Sequence, residues 1–161
     1  MRGGVLPPAL LFSALGLALA FAPRRAWASS LLALLAAIGV VIFLPIPQGW
    51  LEGVYLAFWM SVTATAASVH LVHGVGRWVA LALSLNAGVW ASAAVHLSGS
   101  RLDLLIGLPC VLILFPASWV IGRHTSIPVK VVSSWLIAVA VLAGTLQLLA
   151  VTPGYLPDHL E

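Results

Sequence analysis

The sequence predicts an all-α fold: a polytopic transmembrane helical bundle of six spans, with short connectors and no soluble domain. Three observations carry this expectation. Of the 161 residues, 62% are hydrophobic and only 7% are charged, where a soluble domain carries roughly a quarter. Seven basic and four acidic residues are too few to cover a protein of this size in water. The apolar residues also fall into charge-free stretches of about 20, the length that crosses a hydrocarbon layer as a helix. A net charge of +3 spread over such a chain is not a basic patch, so no nucleic-acid partner is expected.

Hydrocarbon offers the backbone no partner, so each stretch must close its own hydrogen bonds, which requires helices. The alternation at period two that marks a membrane β-barrel is missing from these stretches. The expected spans are residues 5–23, 27–47, 53–74, 78–98, 104–122 and 131–152, within one transmembrane domain covering 1–161. The first is closed by Arg24-Arg25. It competes with a signal-peptide reading, because Met1-Arg2 precedes an apolar stretch with Ala-x-Ala triplets at 18–20 and 26–28. The length of the stretch and the arginine pair behind it favour retention. Pro7-Pro8 is expected to shorten its helix to about residues 9–22. The second span closes at Pro45 and Pro47. The third lies between Glu52 and Arg77, and the fourth is ended by Arg101. The fifth lies between Asp103 and Arg123, where Pro109 and Pro116 predict a kink. The sixth follows Lys130.

The charges segregate between connectors. The first, third and fifth hold Arg24, Arg25, Arg77, Arg123 and Lys130. The opposite side holds Arg2, Arg101 and all four acids, Glu52, Asp103, Asp158 and Glu161. Basic residues in short loops stay inside the cell, so the arginine-rich connectors are expected in the cytoplasm and both chain ends outside. Six arginines to one lysine, with abundant alanine, point to a bacterium and hence to its plasma (inner) membrane. Trp27, Trp50, Trp78 and Trp119 sit at span borders, where an indole keeps its ring buried and its N–H wet. Trp59, Trp90 and Trp135 lie deeper and read as packing or lipid contacts.

Within the spans there is no acidic or basic residue, which disfavours proton relays and intramembrane hydrolysis. Cys110 is alone, so one chain holds neither a disulfide nor a cysteine metal cluster. The Walker-type loop, the zinc-protease helix and the serine-hydrolase elbow are all missing. No catalytic residue is assigned, and the chain does not read as an enzyme.

Two candidate sites remain. Ser61, Thr65 and Ser68 repeat at helical spacing on one face of the third span, and Asn86 is the chain's single asparagine, near the middle of the fourth. An amide in hydrocarbon must find partners, and hydroxyls on the facing helix can supply them. These four residues either glue helices together or line a small polar pathway. Ser84 and Ser92 add to the polar character of the fourth span. The second candidate is His70, His73 and His124, all expected on the cytoplasmic face. The His70-x-x-His73 spacing puts two rings one turn apart, suited to a transition metal or, with His124, to haem. No carboxylate on that face supports them, and the leading reading is of amphipathic interfacial histidines. The base expectation is therefore no cofactor. The small-residue pairs Gly16/Ala20, Ala87/Ala91 and Ala140/Gly144 indicate close helix packing.

The sequence leads first to permeation or transport of a small neutral or weakly polar solute by a homo-oligomer. The alternatives are a non-catalytic accessory or assembly subunit of a larger membrane complex, and a haem- or metal-binding redox protein using His70, His73 and His124. In every case the lipid bilayer is a partner.

Overall fold

A computed structural model describes residues 4–72, 74–98, 100–123 and 125–148. Those residues form helices with no strand among them: α1 (Leu6–Ala20), α2 (Arg24–Ile42), α3 (Leu51–Ala67), α4 (Arg77–Ser98), α5 (Arg101–Gly107), α6 (Leu114–Gly122) and α7 (Ile127–Leu148). Short 3-10 turns flank α3 at Gln48–Trp50 and Ser68–His70, and another, Leu108–Ile113, joins α5 to α6. Four helical segments are long and apolar enough to cross a membrane: Arg24–Ile42, Arg77–Leu97, Arg101–Gly122 and Ile127–Gln147. With 15 residues in α1 and 17 in α3, the first and third expected spans are shorter.

The borders differ from the sequence reading for local reasons. Pro7 and Pro8 do not delay the first helix. They sit in its opening turn, where the missing N–H groups have no intrahelical partner to lose. The interruption expected from the prolines of the fifth span is a 3-10 stretch with Pro109 in its first turn, while Pro116 lies inside α6. α5 opens on a capping box: Ser100 Oγ accepts from the Leu102 amide at 3.3 Å, and the Asp103 carboxylate accepts from the Ser100 amide at 2.9 Å. The last helix begins at Ile127, earlier than expected, and residues 149–152 of that span lie outside the described residues.

α1 is the centre of the bundle. It packs against α3, α4, α5, α6 and α7, and Leu11, Phe12, Leu15, Ala18 and Leu19 are fully enclosed. A helix wrapped by other helices does not have to match the thickness of a lipid layer, which accommodates its shortness. Two glycines set the closest approaches. A Cβ on Gly16 of α1 would lie 2.6 Å from the Val111 carbonyl oxygen. One on Gly88 of α4 would lie 2.8 Å from the Leu34 carbonyl oxygen of α2.

These contacts also fix relative directions. Gly107 lies against Ala9, and Gly16 against Val111 and Ile113, so α1 and the α5–α6 segment run the same way. Gly88 meets Leu34 and Ala37, and the end of α2 at Val41 shares a cavity with Val89 and Ala93, so α2 and α4 are parallel. Ser133 meets Ala66 while Gly144 meets Trp59, so α3 and α7 are antiparallel. Each of these directions is the one expected of a chain that reverses at every connector.

Among the described residues, seven hydroxyl side chains join an otherwise apolar interior, and large apolar side chains also cover the outside. Ser30, Ser61, Thr65, Ser68, Ser84, Ser92 and Ser133 are buried, whereas Leu32, Val40, Phe43, Met60, Leu142 and Leu146 point outward. In water this arrangement exposes apolar surface and hides hydroxyls; in hydrocarbon it does the reverse, covering polar groups and leaving methyls to the solvent.

Candidate functional site

The α3–α4 seam holds the polar residues singled out in the sequence. Asn86 is half-buried on α4, and its Nδ2 donates to Ser61 Oγ on α3 at 2.5 Å. Ser61, Thr65 and Ser68 are all buried on α3. Only Ser61 meets Asn86: Ser68 Oγ donates to the Thr65 carbonyl at 2.6 Å, a bond within its own helix end. One turn from Ser61 the same helix is tied to α7, where the buried Ser133 Oγ donates to the Ala66 carbonyl at 2.6 Å. The polar face of α3 thus binds two neighbours. Cavities of about 360 Å³ between α3 and α7, 610 Å³ beside the end of α2, and 250 Å³ between α2 and the α5–α6 segment are lined by other residues.

A second polar strip joins Ser84 and Ser92, noted in the sequence, to Ser30, which the sequence reading missed. Ser30 on α2 and Ser84 on α4 are fully buried. Ser30 precedes Leu34 by one turn and Ser84 precedes Gly88 by one turn. Because those helices run parallel through the Leu34–Gly88 contact, the two serines sit at one level. The hydroxyls of Ser30, Ser84, Ser92 and Thr65 and the indole N–H of Trp59 have no hydrogen-bond partner among the described residues. The repeat Ser84, Gly88, Ser92 at intervals of four was the available signal. It lay beside the Ala87/Ala91 pair, one residue out of register, and only the partner helix shows which stripe makes the tightest approach.

Of the three histidine candidates, only His70 lies among the described residues. His70 is exposed at the end of α3, with Ser134 Oγ 3.4 Å from its Nε2. His73 and His124 lie outside the described residues. Among the described residues no three His, Cys, Asp or Glu side chains come together. Cys110 is half-buried in the 3-10 stretch.

The border tryptophans divide by role. Trp27 Nε1 lies 3.0 Å from the Leu19 carbonyl and 3.3 Å from that of Ala22, satisfying acceptors at the open end of α1. Its ring stands edge-on to Phe115 at 6.0 Å. Arginines lie over Trp27, Trp78 and Trp119 (Arg24 at 5.9 Å, Arg77 at 4.9 Å and Arg123 at 3.9 Å), one pair at each basic connector. Gly74 beside the Phe21 carbonyl, the Trp27–Phe115 contact and His70 beside Ser134 bring these three connectors to one end of the bundle. Of the deeper tryptophans, Trp59 is buried in the bundle and Trp135 faces outward.

No family model matches the chain, and it matches neither a curated protein nor a solved structure.

Proposed function

We propose that this chain is a six-span protein of a bacterial plasma membrane, with its arginine-rich connectors in the cytoplasm, and that it serves as a non-catalytic assembly subunit of a larger membrane complex. The large apolar side chains turned outward support the membrane placement. The gathering of Arg24, Arg77 and Arg123 at one end supports the orientation. The observation that carries the subunit role is the position of α1. Its apolar side chains occupy the axis along which a solute would pass through one copy, and Leu11, Phe12 and Leu15 are fully enclosed there. Asn86 and Ser61 bond to each other, so the strongest polar pair holds two helices together.

The test is reconstitution into liposomes beside size analysis of the native protein in mild detergent. Water, glycerol and urea should enter the vesicles at the protein-free rate. The native protein should migrate in a complex heavier than any small homo-oligomer and lose that mass when its outward α7 face is altered. Solute flux above the protein-free rate would defeat the subunit reading.

The transport reading keeps one observation in its favour. Four buried hydroxyls without partners among the described residues, on Ser30, Ser84, Ser92 and Thr65, are the kind of groups that pair with water or a small polar solute. Flux that falls in a Ser30→Ala, Ser84→Ala double variant would establish it. The redox reading is tested by absorption: a Soret band lost in His70→Ala would support it, and a featureless spectrum from freshly isolated membrane protein would end it.

A further inference from the structure

The bundle is not closed between α2 and the α5–α6 segment. A groove of about 250 Å³ runs there, walled by Leu31, Leu34 and Leu35 on one side and Leu108, Pro109 and Leu112 on the other. Leu35 and Leu112 are 49% and 51% exposed, so the groove opens sideways, onto the hydrocarbon in the membrane placement proposed above. At its upper end Trp27 and Phe115 bridge the two walls edge to face. Beyond that bridge stand Arg24 and Arg25, opening α2, and Arg123, closing α6.

Spacing along the axis matches a phospholipid. Leu31 follows Arg24 by seven residues, which is about 10 Å of helix. Leu112 precedes Arg123 by eleven, which is about 16 Å. Cations therefore sit one acyl segment above an apolar slot. Both described acids, Glu52 and Asp103, open helices at the other end, so among the described residues no carboxylate neutralises these arginines. A guanidinium stacked on an indole, as Arg123 is on Trp119, keeps its in-plane N–H groups for a phosphate.

We propose that this groove and its arginine rim form a binding site for one anionic phospholipid, with an acyl chain between α2 and the α5–α6 segment and the phosphate at the level of Arg24, Arg25 and Arg123. The proposal rests on the membrane placement and is independent of the assembly role.

The experiment follows thermal unfolding of the purified full chain in neutral detergent by tryptophan fluorescence. Phosphatidylglycerol, phosphatidylcholine with identical acyl chains, or inorganic phosphate is added. Phosphatidylglycerol should raise the midpoint by about 5 °C at saturation, and the other two should leave it within about 1 °C. Native mass spectrometry should retain one phosphatidylglycerol per chain. The triple variant Arg24→Gln, Arg25→Gln, Arg123→Gln, at exposed positions, should keep the lipid-free midpoint and lose the shift. Arg77→Gln with Lys130→Gln, removing charge from the same end away from the groove, should keep it. Leu112→Trp, which fills the groove, should lose it. Equal shifts from both lipids, a shift from inorganic phosphate, or a persistent shift in the triple variant would each overturn the site. Failure of the membrane placement has a different signature, recovery of the chain in the soluble fraction of broken cells.

Discussion

The amide of Asn86 reaches across the bundle to the hydroxyl of Ser61, joining α4 to α3 at 2.5 Å. The two partners are not equivalent. Without Asn86, the Ser61 hydroxyl can turn back to a carbonyl of its own helix, as Thr63 does to Trp59 at 3.0 Å. Without Ser61, the half-buried amide, with two donors and an acceptor to satisfy, loses its bond to α3.

Ser61→Ala should therefore destabilise more than Asn86→Ala: about 1–3 kcal/mol against roughly 0.6 kcal/mol. The double variant with Asn86→Leu should recover most of the Ser61→Ala loss. Reversible unfolding in mixed micelles measures all three, and equal single losses would show that the bond carries little of the interaction.

Close approach at glycine gives a second prediction. Gly16→Ala and Gly88→Ala each drive a methyl into a backbone carbonyl, at 2.6 Å and 2.8 Å, and backbone cannot swing aside as a side chain can. Each should cost about 1–3 kcal/mol. Gly39→Ala and Gly53→Ala, where nothing lies within 4 Å, should be neutral or stabilising by up to about 1 kcal/mol. A loss at the open positions equal to that at Gly16 would discredit the packing described.

Trp27 joins three elements: from α2 its indole N–H donates to the end of α1 and its ring stands edge-on to Phe115 of α6. Trp27→Phe keeps the ring contact and deletes the donor, and should cost about 1 kcal/mol. Trp27→Ala removes both and should cost about 3–5 kcal/mol. Comparing the unfolding midpoints of the two variants separates donor from ring, and equal losses would assign no packing role to the ring.

Threading is tested by labelling. With Cys110 replaced by Ser, Gly49→Cys and Gly76→Cys place single thiols in connectors two and three, at exposed positions with nothing within 4 Å. An impermeant maleimide applied to intact cells should label the first and reach the second only after the membrane is opened. The reverse pattern would invert the orientation.

How far the sequence could be read differs from site to site. Asn86 announced its own need for a partner, because an amide in an apolar helix has few alternatives, and the hydroxyls of the preceding helix were the nearest supply. Ser30 announced nothing, since a serine in a membrane helix reads alike whether it faces lipid, its own backbone or a neighbour. Ser84, Gly88 and Ser92 were visible as a small-residue stripe only once α2 was known to lie along them. The border tryptophans stand near helix ends, but that Trp27 serves the end of α1 depends on a contact eight residues back along the chain.

What the sequence determined by itself was helix, the apolar stretches, and the gathering of most basic residues in three connectors that hold no acid. Each is a property of a segment alone, read from its own length and composition. Only the tertiary structure decided that α1 is central, that α2 runs beside α4, and that a groove stays open at Pro109. Lipid is as apolar as leucine, so burial in protein offers an apolar helix no preference over burial in lipid. Position then falls to close packing at Gly16 and Gly88 and to paired bonds such as Asn86–Ser61, and each of these needs a partner that no single segment contains.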